Sequence, residues 1–240
     1  MKKQVITLND KESLVQQGLT LVLEKINQAI QQRGECTLVL SGGSTPKPLY
    51  EALAEQSLPW DKIYIFWGDE RYVSPDDPDS NQGMTRKAML DRIEIPASNI
   101  YGMPTDSNDP ALDAQKYETA LQEYFKVSWG EFPAFDVVLL GMGDDGHTAS
   151  LFPHTEALHV SDRLITVGSK DGQPRLTFTA SLINHARCVI FLVAGASKQT
   201  ALAEVFAPDG DAMTYPSRLI QPEGELWWLL DRRAAENLDL

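Results

Sequence analysis

Short runs of consecutive apolar residues limit what this chain can fold into. They are "CTLVL" (36–40), "IYIFW" (63–67), "FDVVLL" (135–140) and "CVIFLVAG" (188–195), and "LWWLL" (226–230) stands near the end. Each has the length of a strand and is rich in β-branched or aromatic residues. None alternates apolar with polar, so both faces of each strand need cover. Strands of this kind belong to parallel sheets buried on both sides. Helical patterns separate them. "SLVQQGLTLVLEKINQAIQQRG" (13–34) stops on Gly34, and "KPLYEALAEQ" comes after Pro46, which a helix tolerates in its first turn. "NQGMTRKAMLDRI", "ALDAQKYETALQEYF" and "KQTALAEVF" also read as helices. The alternation predicts an α/β fold, a mostly parallel sheet with helices on both faces. No repeat or low-complexity tract interrupts it, and "SPDDPDSNQG" (74–83) reads as a surface loop. One domain over 1–240 is the economical organisation.

The charge narrows the partners. Thirty-four acidic against 21 basic residues give a formal net charge of −13. Such a surface repels nucleic acid and anionic membrane, so neither is an expected partner. An anionic ligand would need a local basic pocket. Cys36 and Cys188 lie in apolar strand runs and read as buried reduced thiols, not as a disulfide or metal site. "MKKQVITLND" lacks a signal-peptide core, and no run approaches membrane-span length. A cytoplasmic protein, monomeric or a small homo-oligomer, is expected.

In parallel α/β sheets, ligands bind beyond the carboxyl ends of the strands. Four loops lie there. "GMGDDGH" (141–147) comes after the third strand and spells G-x-G-x-x-G, the wording of a dinucleotide fingerprint. Three features oppose that reading. The motif lies past mid-chain, Asp144 and Asp145 would sit beside a pyrophosphate, and Pro153 arrives too soon for the required helix. An acid–base loop fits better. His147 stands two residues from Asp145, and a histidine can take and return a proton near neutrality. Packing or helix capping is the alternative for a lone histidine.

"SGGSTP" (41–46) offers backbone N–H groups at Gly42 and Gly43, hydroxyls at Ser44 and Thr45, and a helix start at Pro46. These suit a phosphate, although the spacing is not that of a nucleotide-hydrolysing P-loop. "WGDERYV" (67–73) places Asp69 and Arg71 at another strand end. Arg71 can pair a phosphate through two N–H groups, and Asp69 can orient a sugar hydroxyl or the histidine. Lys198 opens a helix, where its charge opposes the dipole unless an anion is near. Arg175 lies just before a further strand in "QPRLTFTASLIN". No His, Cys and Asp set has metal-ligand spacing, so no metal is expected.

"LSGGSTPKPLYEAL", "WGDERYV", "SNQGMTRKAML", "FDVVLLGMGDDGHTASLFP", "PRLTFTASLIN" and "VAGASKQTAL" together resemble the 6-phosphogluconolactonases. The segments stand in that family's order from about residue 38 to 202, and "GMGDDGHTASLFP" is the most specific. The related glucosamine-6-phosphate deaminases differ after the histidine, where this chain reads "TASLFP" as the lactonases do. The "QPRLTFT" segment is less proline-rich than is common in the family.

The resemblance implies a Rossmann-like fold, no metal or organic cofactor, and hydrolysis of 6-phospho-D-glucono-1,5-lactone in the pentose phosphate pathway. By that resemblance Gly42, Gly43, Ser44, Thr45, Arg71 and Lys198 hold the phosphate of a phosphosugar lactone. Arg175 serves the phosphate or the developing oxyanion, and loop N–H groups near Gly143 are alternative oxyanion donors. His147 is the general base, with either Asp145 or Asp69 orienting it. The rival readings are a 6-phosphosugar isomerase or deaminase using Asp69 as base, and a non-catalytic sugar-phosphate sensor.

Overall fold

The computed structural model describes residues 2–238. Seven strands form one sheet: β1 (Lys2–Leu8), β2 (Cys36–Leu40), β3 (Ile63–Trp67), β5 (Ile100–Tyr101), β6 (Val137–Leu140), β9 (Cys188–Val193) and β10 (Glu225–Asp231). Their spatial order is β1-β10-β9-β6-β2-β3-β5, and every neighbouring pair is parallel. Every residue of β2, β6 and β9 is buried, so the centre of the sheet is covered on both faces. This is the arrangement that the five apolar runs predict. The helices between them are α1 (Lys11–Arg33), α2 (Lys47–Ala54), α3 (Asn81–Ala88), α4 (Pro110–Phe125), α5 (Ala180–Asn184), α6 (Gln199–Phe206) and α7 (Arg232–Ala235). No helix among the described residues is long and apolar enough to cross a membrane.

Local chemistry fixes the ends of α1. Asp10 accepts the N–H of Ser13 at 2.8 Å, and Gly34 ends the helix at φ 86°. The two tryptophans of β10 divide as strand alternation requires. Trp228 is buried, stacked on Phe191 at 3.8 Å between ring centroids, while Trp227 is half-buried. Both cysteines are buried and free.

Two features depart from the sequence reading. The first is β1, an edge strand whose Lys2, Lys3 and Gln4 are exposed. The second is a separate antiparallel sheet of β4 (Asp69–Arg71), β8 (Gln173–Phe178) and β7 (Ile165–Lys170), in the order β4-β8-β7. Arg175 therefore does not precede a strand; it lies inside β8, opposite Arg71. Residues 74–80 are more than a surface loop. The Asp79 carbonyl accepts from the Arg71 guanidinium at 2.6 Å, and the Asn81 N–H donates to Glu70 at 2.7 Å.

The sheet order gathers distant parts of the chain at one end. β9, β6 and β2 are adjacent, so the loops leaving their carboxyl ends stand side by side. β3 delivers the chain almost directly into β4 of the second sheet.

Candidate active site

Those loops and the second sheet enclose a cavity of about 290 Å³. All ten residues singled out from the sequence lie at it or touch its wall. Gly42, Gly43, Ser44 and Thr45 enter from the β2 loop, His147 from the β6 loop and Lys198 from the β9 loop. The second sheet supplies the rest. In an antiparallel sheet, residues paired across strands share a face. Asp69 pairs with Thr177 and Arg71 with Arg175, while Gly168 pairs with Arg175 and Lys170 with Gln173. One face therefore presents Asp69, Arg71, Arg175 and Lys170 to the cavity. Glu70 points the other way. It is buried and accepts the N–H groups of Asn81 and Gln82, the first residues of α3, at 2.7 and 2.8 Å.

His147 and Asp145 are in contact. Asp145 Oδ1 lies 2.5 Å from His147 Nδ1 and accepts the His147 backbone N–H at 3.1 Å. With Nδ1–H donated to the carboxylate, Nε2 carries the lone pair. Burial pushes the Asp145 carboxyl up, but the hydrogen bond and charge of His147 outweigh it and hold it down at about 2. The loop that carries the pair folds on itself. The Gly143 N–H donates to the His147 carbonyl at 2.8 Å, and the Gly146 N–H to the Gly143 carbonyl at 3.1 Å. A Cβ on Gly143 would run into the imidazole and the Asp145 carboxylate, so only glycine lets the ring lie there. From behind, the Ser217 N–H donates to the Gly146 carbonyl at 2.9 Å. No helix comes after the glycines. A Thr148–Leu151 bridge does, contrary to a dinucleotide fold. The Gly143 N–H is thereby committed to the loop.

Asp69 is not on the imidazole. Its Oδ2 accepts from the Ser150 hydroxyl at 2.7 Å. Burial pushes its carboxyl up, offset in part by Ser150. Of the two carboxylates that the sequence leaves open, Asp145 is the one bonded to His147.

The opposite side of the cavity is basic. Arg71 and Arg175 face each other across β4 and β8, two like charges directly opposite, an arrangement that is unfavourable by itself. Burial first, and the Arg71 charge next, push the Arg175 guanidinium down, and its buried Nε has no protein partner. Beside them, the N–H groups of Gly42, Gly43 and Ser44 donate to no protein acceptor among the described residues. A Cβ on Gly42 would run into the Asn81 carboxamide, whose Nδ2 donates to the Asp69 carbonyl at 3.0 Å. The glycine loop is thus packed directly against the start of α3. Lys198 caps α6 and lies 2.5 Å from Asp144 Oδ1, while Ser197 donates to the same oxygen at 3.0 Å. The hydrogen bond from Lys198 holds the Asp144 carboxyl below its usual range. The anion that the helix start calls for is therefore supplied in part by the chain itself.

The lining residues that escaped the sequence reading include Ser41, Asn81, Ser150 and Lys170. Ser41 Oγ is buried at the cavity without a partner. Lys170 reads in the sequence as an ordinary lysine before the "DG" turn. Among the described residues, no three His, Cys, Asp or Glu side chains cluster as metal ligands would.

This architecture and these sequences have known counterparts. The family described as glucosamine-6-phosphate isomerases/6-phosphogluconolactonase matches residues 9–228. The 6-phosphogluconolactonase of Nostoc sp. is 64% identical over 240 residues, covering 100% of both chains. That of Synechocystis sp. is 64% identical over 238 residues, covering 99% of both. Among solved structures, 6-phosphogluconolactonase from Trypanosoma cruzi superposes with a TM-score of 0.90 at 31% identity. The match covers 100% of this chain and 98% of the other. The chain belongs to the glucosamine-6-phosphate isomerase/6-phosphogluconolactonase family.

Proposed function

We propose that the chain is a 6-phosphogluconolactonase, one α/β domain that hydrolyses 6-phospho-D-glucono-1,5-lactone to 6-phospho-D-gluconate in the pentose phosphate pathway. The observation that carries this reading is the polarity of one cavity. A carboxylate-held imidazole stands at one side, and two facing arginines with a free glycine loop stand at the other.

The phosphate binds first. The N–H groups of Gly42, Gly43 and Ser44, the Thr45 hydroxyl, Arg71 and Arg175 receive it, with Lys198 shared between the phosphate and Asp144. Placing a dianion between Arg71 and Arg175 turns their repulsion into two charge-assisted contacts. The lactone C1 then lies toward His147. Nε2 takes a proton from water, and the hydroxide bonds to C1, giving a tetrahedral oxyanion. Asp145 stabilises the imidazolium formed in this step, as a carboxylate on Nδ1 does elsewhere. The oxyanion collapses, the bond from C1 to the ring oxygen breaks, and His147 returns its proton to that oxygen. Asp69, set by Ser150, is placed to accept a sugar hydroxyl.

The test is turnover of freshly generated 6-phosphogluconolactone, coupled to 6-phosphogluconate dehydrogenase, above the spontaneous rate. A parallel incubation with glucosamine 6-phosphate should release no ammonia. Ammonia release without lactone turnover would replace this reading by a deaminase using Asp69.

A further inference from the structure

We propose that Lys170 is a further catalytic residue, whose ammonium meets the lactone carbonyl oxygen as that oxygen becomes negative. The proposal rests on the lactonase reading above. Its first support is position. β7 and β8 form a hairpin that turns at Asp171 and Gly172, both with positive φ. Lys170 stands at the tip of that hairpin, on the face that carries Arg175, and lines the cavity. Its Nζ lies 5.5 Å from the centroid of the Phe152 ring. The same ring lies 4.4 Å from the His147 imidazole, centroid to centroid. Lys170 therefore reaches the imidazole side of the cavity, where the lactone carbon is attacked.

The second support is that two of the other cations are engaged within the protein, while Arg175 faces Arg71 at the phosphate side. Lys198 is held by Asp144, and the Arg71 guanidinium donates to the Asp79 carbonyl. Lys170 forms no salt bridge or hydrogen bond to a protein acceptor among the described residues, and its charge helps to hold Asp145 down. The third is a need. The oxyanion requires a donor, and the Gly143 N–H is already given to the His147 carbonyl. The hairpin is also seated against the catalytic loop. A Cβ on Gly168 would run into the Ser150 carbonyl, so the hairpin backbone lies directly on the segment just past His147. Lys170 keeps its proton throughout. It donates a hydrogen bond to the oxyanion and gives it up when the carbonyl reforms.

The experiment compares Lys170→Met and Lys170→Arg with the unsubstituted protein on the 6-phospholactone and on unphosphorylated glucono-1,5-lactone. Lys170→Met should lower kcat about 10²–10³-fold, the range for loss of one oxyanion donor. KM should change little, both substrates should suffer alike, and Lys170→Arg should restore part of the rate. A rise in KM confined to the phosphorylated substrate would make Lys170 a phosphate ligand and overturn the proposal. So would a kcat unchanged in Lys170→Met. Absence of turnover by the unsubstituted protein would overturn the lactonase reading and this role together, whereas turnover by it beside an unaffected Lys170→Met overturns this role alone.

Discussion

Asp145 holds His147 at two points, the ring Nδ1 at 2.5 Å and the backbone N–H at 3.1 Å. One carboxylate oxygen thus fixes both the tautomer of the imidazole and the turn that carries it. Asp145→Asn should leave the fold intact and lower kcat by about tenfold or more, because a carboxamide stabilises the imidazolium poorly. The carboxyl is depressed in the folded protein. Its contribution to stability is therefore complete above the ordinary carboxylate pKa of about 3.9 and is lost as pH falls toward about 2. The side chain is 44% exposed, so that contribution is small. Urea unfolding of both proteins should show a difference that shrinks as pH falls from about 4 toward about 2. A difference that persists undiminished down to about pH 2 would contradict the pairing.

The facing Arg71 and Arg175 predict an anion-dependent stability. Inorganic phosphate or 6-phosphogluconate should raise the melting temperature of the protein, since an anion between the guanidiniums removes their repulsion. Arg175→Met should abolish most of that rise. It should also raise KM for the phosphorylated lactone by roughly tenfold to a hundredfold, the equivalent of about 1.5–3 kcal/mol for one charge-assisted contact. Rates on unphosphorylated gluconolactone should barely move. An equal loss on both substrates would place Arg175 at the lactone.

The parts of this molecule that the sequence reveals are those whose residues speak for themselves. β2, β3, β6, β9 and β10 are legible because burial on both faces demands unbroken apolar runs. β1 is not, because an edge strand carries lysines where a central one carries valine. The second sheet is hidden for a different reason. β4 is three residues long, β8 contains Pro174, and one face of the sheet is the site itself, so its polar residues erase the strand pattern. His147 and the glycine loop are legible because they come directly after strong strands. Which carboxylate meets the imidazole is not, since Asp69 reaches the cavity only through the path of β4. Lys170 is invisible for the same reason: a lysine before a turn is ordinary until the hairpin is folded over Phe152.

Gly143 offers a test of the loop independent of charge. Gly143→Ala puts a methyl group where the imidazole and Asp145 now lie. The ring must leave its carboxylate, so kcat should fall at least as far as in Asp145→Asn, with KM for the phosphorylated lactone nearly unchanged. Crystal structures or imidazole NMR of the variant should show His147 displaced. Full activity in Gly143→Ala would mean that the loop can move without cost and that the observed pairing is not the working one.

The proposed chemistry stands or falls on whether His147, held by Asp145, activates water for attack on a lactone anchored by its phosphate. Its most direct test is the kcat and KM of His147→Ala on freshly generated 6-phosphogluconolactone, with 6-phosphogluconate binding measured on the same preparation. The expected result is a fall in kcat of about 10²–10⁴-fold, the range for general-base catalysis, with product affinity retained. A kcat within about tenfold of the unsubstituted protein, well short of that range, would contradict it.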